Sequence, residues 1–161
     1  MTTTTIYHKF SYPFSEVSLA FWNKFPNKYS EHVKTVDIID RTLTDGILST
    51  TRIFNIEANH SYIPDTALYS LEKTTIDPKN KTLSGTNTNL SLRNIFNTVE
   101  TIKYEELTPT TTAYTQTITI SVKIPLIGNR VERFLMDKAK EKSLQGIDVI
   151  DDMLSKRKHE K

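Results

Sequence analysis

The chain has 161 residues, a formal net charge of +2 and no cysteine, with a mean hydropathy of -0.43. These values suit a single globular domain and exclude disulfides, thiolate nucleophiles and cysteine metal sites. No apolar run approaches the ~18 residues that a membrane-spanning helix needs. Threonine is over-represented, with 24 of 161 residues, and a β-branched side chain suits a pleated, half-exposed strand.

In chain order, Ile6 to Phe10 reads as a strand. Ser15 then caps a helix that carries Phe14, Val17, Phe21 and Phe25 on one stripe and stops at Pro26. His32 to Leu43 and Ile47 to Ile56 form the arms of a hairpin about Thr44-Asp45-Gly46. Glu57 to Thr66 reads as a loop. Tyr69 to Ile76, Thr82 to Leu90 and Ile95 to Leu107 are further strands, with a proline turn at Asp77 to Asn80. The cleanest period-2 run follows, with Tyr114, Ile118, Ile120, Val122 and Ile124 on one face, broken there only by Gln116. From Pro125 to Lys161 the pattern turns helical for about thirty residues. Seven strands joined by short turns, with a helix near each chain end, predict an α+β domain. Its helices cover one side of an antiparallel sheet.

Charge and motifs exclude several activities. Residues 1–124 carry 12 basic and 12 acidic side chains, and residues 125–161 carry 9 and 7. That is too even for a nucleic-acid module. No phosphate-cradling glycine loop, nucleophile elbow or zinc-type histidine spacing is present, so neither an enzyme nor a cofactor is expected. An N-terminal signal core or Arg-rich presequence is also lacking.

One constellation stands out in the last helix. Projected at 100° per residue, Leu135, Val149 and Met153 fall near Val131 on the inward stripe, with Lys138 and Lys142 at about -20° and +20° and Gln145 at about -40°. Two ammonium groups on an apolar face are costly unless something anionic meets them. Either their heads snorkel to water or pair with Glu141 and Asp137, or they form an anion site at a cavity between helix and sheet.

The block Phe14-x-x-Val17-x-x-Ala20-Phe21-Trp22-Asn23-Lys24-Phe25-Pro26-Asn27-x-Tyr29-Ser30-x-His32-Val33 resembles the PRELI domain (slowmo/PRELI-like) family. Val36-Asp37, Arg41, Leu48-x-x-Thr51-Arg52, Leu71-Glu72-Lys73, Asp77 to Thr82, Asn89-Leu90, Val131 to Phe134 and Gly146 continue the match in register over nearly the whole chain. The resemblance implies one domain over residues 1–161. Its fold would be a curved seven-stranded antiparallel sheet gripping a long C-terminal helix, a helix-grip, START-like pocket for a phospholipid. It further implies transfer of phosphatidic acid or phosphatidylserine between mitochondrial membranes across the intermembrane space, without enzyme activity. A small helical partner with twin Cys-x9-Cys motifs and transient contact with anionic membranes are implied as well.

Carried over residue by residue, the family's head-group positions fall on Lys24, His32, Arg52 and Lys138. Lys142 replaces the family asparagine, and Gln145 stands where a lysine follows. The family's longer apolar lid is reduced here to Tyr62-Ile63-Pro64 within 57–66, which leaves open a non-transferring, partner-binding member of the same fold. The basic tail Lys156, Arg157, Lys158 and Lys161 reads either as a membrane-docking element or as a solvated terminus.

Overall fold

A computed structural model of the chain describes residues 1–25, 31–60 and 63–160, without the side chains of 58–60 and 63–67. The elements are β1 (Thr2–Phe10), α1 (Phe14–Asn23), β2 (Val33–Thr44), β3 (Ile47–His60), β4 (Ile63–Asp77), β5 (Thr82–Asn89), β6 (Phe96–Thr108), β7 (Thr111–Val122) and α2 (Gly128–Glu160). The seven strands form one antiparallel sheet in the order β1-β7-β6-β5-β4-β3-β2. β2 to β7 are a meander, as the short turns predict, and β1 returns to pair with β7 at the opposite edge from β2.

Local chemistry accounts for the connections. Asp45 and Gly46 both have positive φ, 53° and 79°, which is the type I′ hairpin that matches strand twist. Asp77 accepts the backbone N–H groups of Lys79 and Asn80, closing the proline turn between β4 and β5.

Three boundaries depart from the sequence expectations. Where a loop is expected over Glu57 to Thr66, residues 57–60 and 63–66 are strand: β3 continues to His60 and β4 begins at Ile63, with a register shift between Ala58 and His60. Proline is tolerated at the start of a strand, where few ladder bonds are lost, so Pro64 does not prevent this. The first helix is not capped by Ser15. It begins at Phe14 after an extended Pro13, whose carbonyl accepts both Glu16 N–H and Val17 N–H. The helix ends at Asn23, so Phe25 lies beyond it, edge-to-face on Phe54. Pro26, the expected stop, lies outside the described residues. Finally, β7 ends at Val122 and a turn intervenes before α2.

The inner face of the sheet packs beneath α2 through two apolar clusters. One joins Phe10, Phe14, Phe21, Leu83 and Tyr104 to Ile150 of α2. The other joins Phe96, Ile118 and Ile120 to Val131, Leu135 and Met136. α2 packs on β7, β1 and α1. Two polar contacts hold it to the same side. His8 Nε2 lies 3.1 Å from Asp151 Oδ2. The buried Glu132 accepts hydrogen bonds from Thr2 Oγ1 and Val122 N–H.

Across the inner face the register aligns Gln116, Ile102, Gly85, Thr74 and Thr50 in one row. Gly85 allows this row to close: a Cβ there would lie 2.6 Å from Thr74 Cγ2. Gly85→Ala should therefore destabilise the fold by about 1–3 kcal/mol, the range for overpacking a tight interior. Thr74→Ser, which removes that methyl, should recover most of the loss. Denaturant midpoints of the single and double variants check both statements.

Candidate functional site

Between α2 and the inner face lies a cavity of about 310 Å³. Its apolar wall includes Phe21, Phe25, Phe54, Phe96, Leu135 and Ile147, contributed by α1 and its flank, β3, β6 and α2. Three of its polar lining residues, Glu100, Asn87 and Glu72, lie along one row of the sheet. Residues Ile118, Glu100, Asn87, Glu72 and Arg52 are register partners on β7, β6, β5, β4 and β3, so their side chains share the inner face.

Arg52 and Glu72 are almost wholly buried and joined: Arg52 Nε donates to Glu72 Oε1 at 2.7 Å, and its terminal nitrogen meets the same oxygen at 2.7 Å. The guanidinium lies 4.7 Å from the Trp22 ring centroid, 5.1 Å from Phe54 and 5.3 Å from Phe21. Burial pushes the Glu72 carboxyl above the ordinary range, against the pull of Arg52. Beside this pair, Tyr114 Oη donates to Gln116 Oε1 at 2.9 Å, and Gln116 Nε2 donates to Glu100 Oε2 at 3.1 Å. Burial raises Glu100 as well, opposed by Lys24 and the Gln116 bond. Both tyrosines of this wall, Tyr104 and Tyr114, are held protonated, chiefly by burial.

Opposite the carboxylates stand the cations. Lys24, just past α1, approaches α2 so closely that a Cβ at Gly146 would lie 3.0 Å from its Nζ. Burial pushes its pKa down, while Glu100 and Glu72 push it up. Lys142 lines the cavity half-buried and makes no ion pair among the described residues. Its pKa falls through burial first and the charge of Lys138 second. Lys138 sits at the rim with its side chain 43% exposed and its Nζ 3.5 Å from Glu141 Oε2. Both sequence readings of this lysine pair are thus present in part: Lys138 pairs with Glu141, and both lysines face the cavity. Ser70 adds a buried hydroxyl in the wall with no hydrogen-bond partner among the described residues. Any polar ligand atom placed there would satisfy it.

Of the residues singled out in the sequence, Lys24, His32, Lys138 and Lys142 converge on the cavity. Arg52 does not reach its wall. Its bonded partner Glu72 does line the space, so Arg52 bears on the cavity through Glu72. The helical projection placed the inward stripe too far to one side. The buried arc of α2 runs along Leu135, Gly146 and Ile150, with Val131 and Val149 at one margin, which leaves Lys138 at the rim and Gln145 exposed. Ile63 and Pro64 open β4, while Tyr62 lies outside the described residues. Sequence reasoning missed Glu72, Glu100 and Ser70. The polar break at Gln116 on an apolar strand face is a signal for Glu100 alone, its hydrogen-bond partner; Glu72 and Ser70 have no such local mark.

The PRELI-like family model matches residues 15–161. UPS-like protein C36.10 of Schizosaccharomyces pombe is 30% identical over 162 residues, covering 92% of this chain and 86% of the relative. Protein UPS2, mitochondrial, of Saccharomyces cerevisiae is 30% identical over 108 residues, covering 60% of this chain and 46% of that protein. Among solved structures, a START superfamily protein from Mycobacterium smegmatis superposes with a TM-score of 0.60 at 13% identity. It covers 96% of this chain and 97% of that one. Identity this low speaks for the fold alone.

The buried ammonium of Lys142 has a measurable consequence. Its lowered folded pKa means the unfolded chain binds this proton more tightly. Stability therefore rises with pH from that lowered value up to the ordinary lysine value of 10.5. Lys142→Met should melt higher than the parent at neutral pH, and the gap should narrow as pH approaches 10.5. Thermal melts of both proteins across that range check the sign.

Proposed function

The chain belongs to the PRELI-like family, and we propose that it carries a phospholipid between mitochondrial membranes across the intermembrane space. The ligand class is phosphatidic acid or phosphatidylserine. One observation carries this reading: an apolar cavity between sheet and helix into which Lys24, Lys142 and Lys138 bring positive charge from one side. Burying acyl surface contributes roughly 25 cal/mol per Å², and charge-assisted hydrogen bonds to a phosphate then fix its position. The Ser70 hydroxyl, without a hydrogen-bond partner among the described residues, offers a further contact at the same wall. The word mitochondrial in the name of a relative supports the compartment. A small helical partner with twin Cys-x9-Cys motifs belongs to the same proposal. Since this chain has no cysteine, every disulfide of such a complex would be the partner's.

A second reading, a partner-binding member that does not transfer lipid, is favoured by one observation. The β3–β4 ladder reaches His60 and Ile63, so only two residues separate the paired strand ends. A helical lid over the acyl chains has no room there.

The chain co-purified with its partner should move fluorescent phosphatidic acid or phosphatidylserine between liposomes. The double variant Lys138→Glu with Lys142→Glu should slow transfer at least about tenfold, since one hydrogen bond to a charged group is worth ~1.5–3 kcal/mol. Unchanged transfer in that variant would remove the cavity from the explanation. A stable heterodimer that yields no lipid by native mass spectrometry would favour the second reading.

A further inference from the structure

We infer that the β5–β6 and β7–α2 loops form a docking edge for an anionic lipid bilayer, with Leu126 and Ile127 entering the head-group layer. The two loops meet at one end of the sheet, because Phe96 and Val122 are register partners. Lys123 N–H donates to Ile95 O at 2.7 Å, and Lys123 Nζ to Arg93 O at 3.4 Å. At this tip Leu126 is fully exposed, Ile127 is 44% exposed and Leu90 is 40% exposed. Leu126 has a φ of +70°, a conformation uncommon outside glycine. Ile127 O accepts the N–H groups of Arg130 and Val131, so this apolar step is built into the start of α2.

The charge around the tip selects the occupant. Arg93, Lys123, Arg130 and Arg133 are all exposed. Within 88–98 and 121–134 the one acid is Glu132, and it turns inward onto Thr2 and Val122. Exposed aliphatic side chains within a collar of arginine and lysine suit an anionic membrane surface, where apolar entry and attraction to lipid phosphates add. The opposite end of the sheet also exposes apolar side chains, Leu43 and Leu107. There, however, Asp45, Asp77 and Glu106 offset Lys79 and Lys81, so the end lacks a single sign.

The tip is also continuous with the cavity rim. Tyr69, which lines the cavity and is 44% exposed, accepts at its carbonyl from Leu90 N–H at 2.8 Å. Its N–H donates to Ser91 Oγ at 2.9 Å. A bilayer seated on Leu126 would therefore lie beside the open side of the cavity at Tyr69 and Lys138. This location rests on the carrier reading for its purpose, but binding is measured without transfer.

The test is vesicle flotation of the full chain, with its partner, on mixed phosphatidylcholine–phosphatidylglycerol vesicles and on pure phosphatidylcholine vesicles. Binding should require the anionic lipid and weaken as salt rises. Leu126→Asp should reduce it about tenfold or more, and Arg130→Gln about fivefold. Leu43→Asp at the far end and Arg157→Gln in the C-terminal turn should leave it unchanged. Binding lost through Arg157→Gln and kept in Leu126→Asp would overturn the proposal. So would equal binding to both vesicle types, or a concentration-dependent homodimer that Leu126→Asp abolishes. Docking without transfer leaves the edge standing and removes the carrier reading; transfer that survives loss of docking does the reverse.

Discussion

The ion pair between Arg52 and Glu72 is the contact on which the inner architecture turns. It joins β3 to β4 and at the same time seats the guanidinium on Phe21 and Trp22 of α1 and on Phe54. α1 otherwise packs on α2, β6 and β7, at the other side of the sheet. Arg52 therefore ties the Phe21–Trp22 end of the short helix to β3 and β4, while the rest of that helix packs on β6, β7 and α2. Removing one partner of such a pair leaves a buried charge and typically costs 3–5 kcal/mol, far more than a surface pair. The planar guanidinium suits this position because it can bond in its plane and stack on its faces.

Around this pair the cavity keeps a near-balance of charge. Two carboxyls, Glu72 and Glu100, lie on the sheet side; Arg52 answers the first, and Lys24 lies within the field of both. Lys142, with no ion pair among the described residues, adds positive charge from the helix side. A cavity lined in this way is not an oily slot with a cation at its mouth. Burial pushes Glu72 and Glu100 toward the protonated form and Lys24 and Lys142 toward the neutral form, so an anionic group beside these two lysines would restore their charge. The Tyr114–Gln116–Glu100 chain orients one of these carboxyls and limits where such a ligand can sit.

Much of this was legible in the sequence where the signal is local. Alternation in β7 gave its buried face residue by residue, and the helical period brought Lys138 and Lys142 to one side of α2. Asp45-Gly46 and Asp77-Pro78 marked their turns through backbone chemistry confined to a few residues. What escaped depends on register between distant strands. Nothing near Glu72 or Glu100 in the chain says that they share a row with Arg52 and Asn87. That follows only once four strands are aligned. The end of β3 escaped for another reason: Asn59 and Pro64 carry loop composition, yet ladder pairing as far as His60 and Ile63 overrides it. Along α2 a reference direction taken from Val131 lay at the margin of the buried arc, which is why Gln145 was placed inward.

Among the described residues, the polar ties that hold α2 lie on one side of it. Glu132 meets Thr2 and Val122, Asp151 meets His8, and the apolar contacts run to β7, β1 and α1. Toward β2, β3 and β4 the helix faces the cavity instead of a packed wall. Mechanically the long helix is a clasp, fastened along one edge and free along the other. On the free side the cavity is bounded by side chains, and the hydrogen-bonded ladders of the sheet do not run across it.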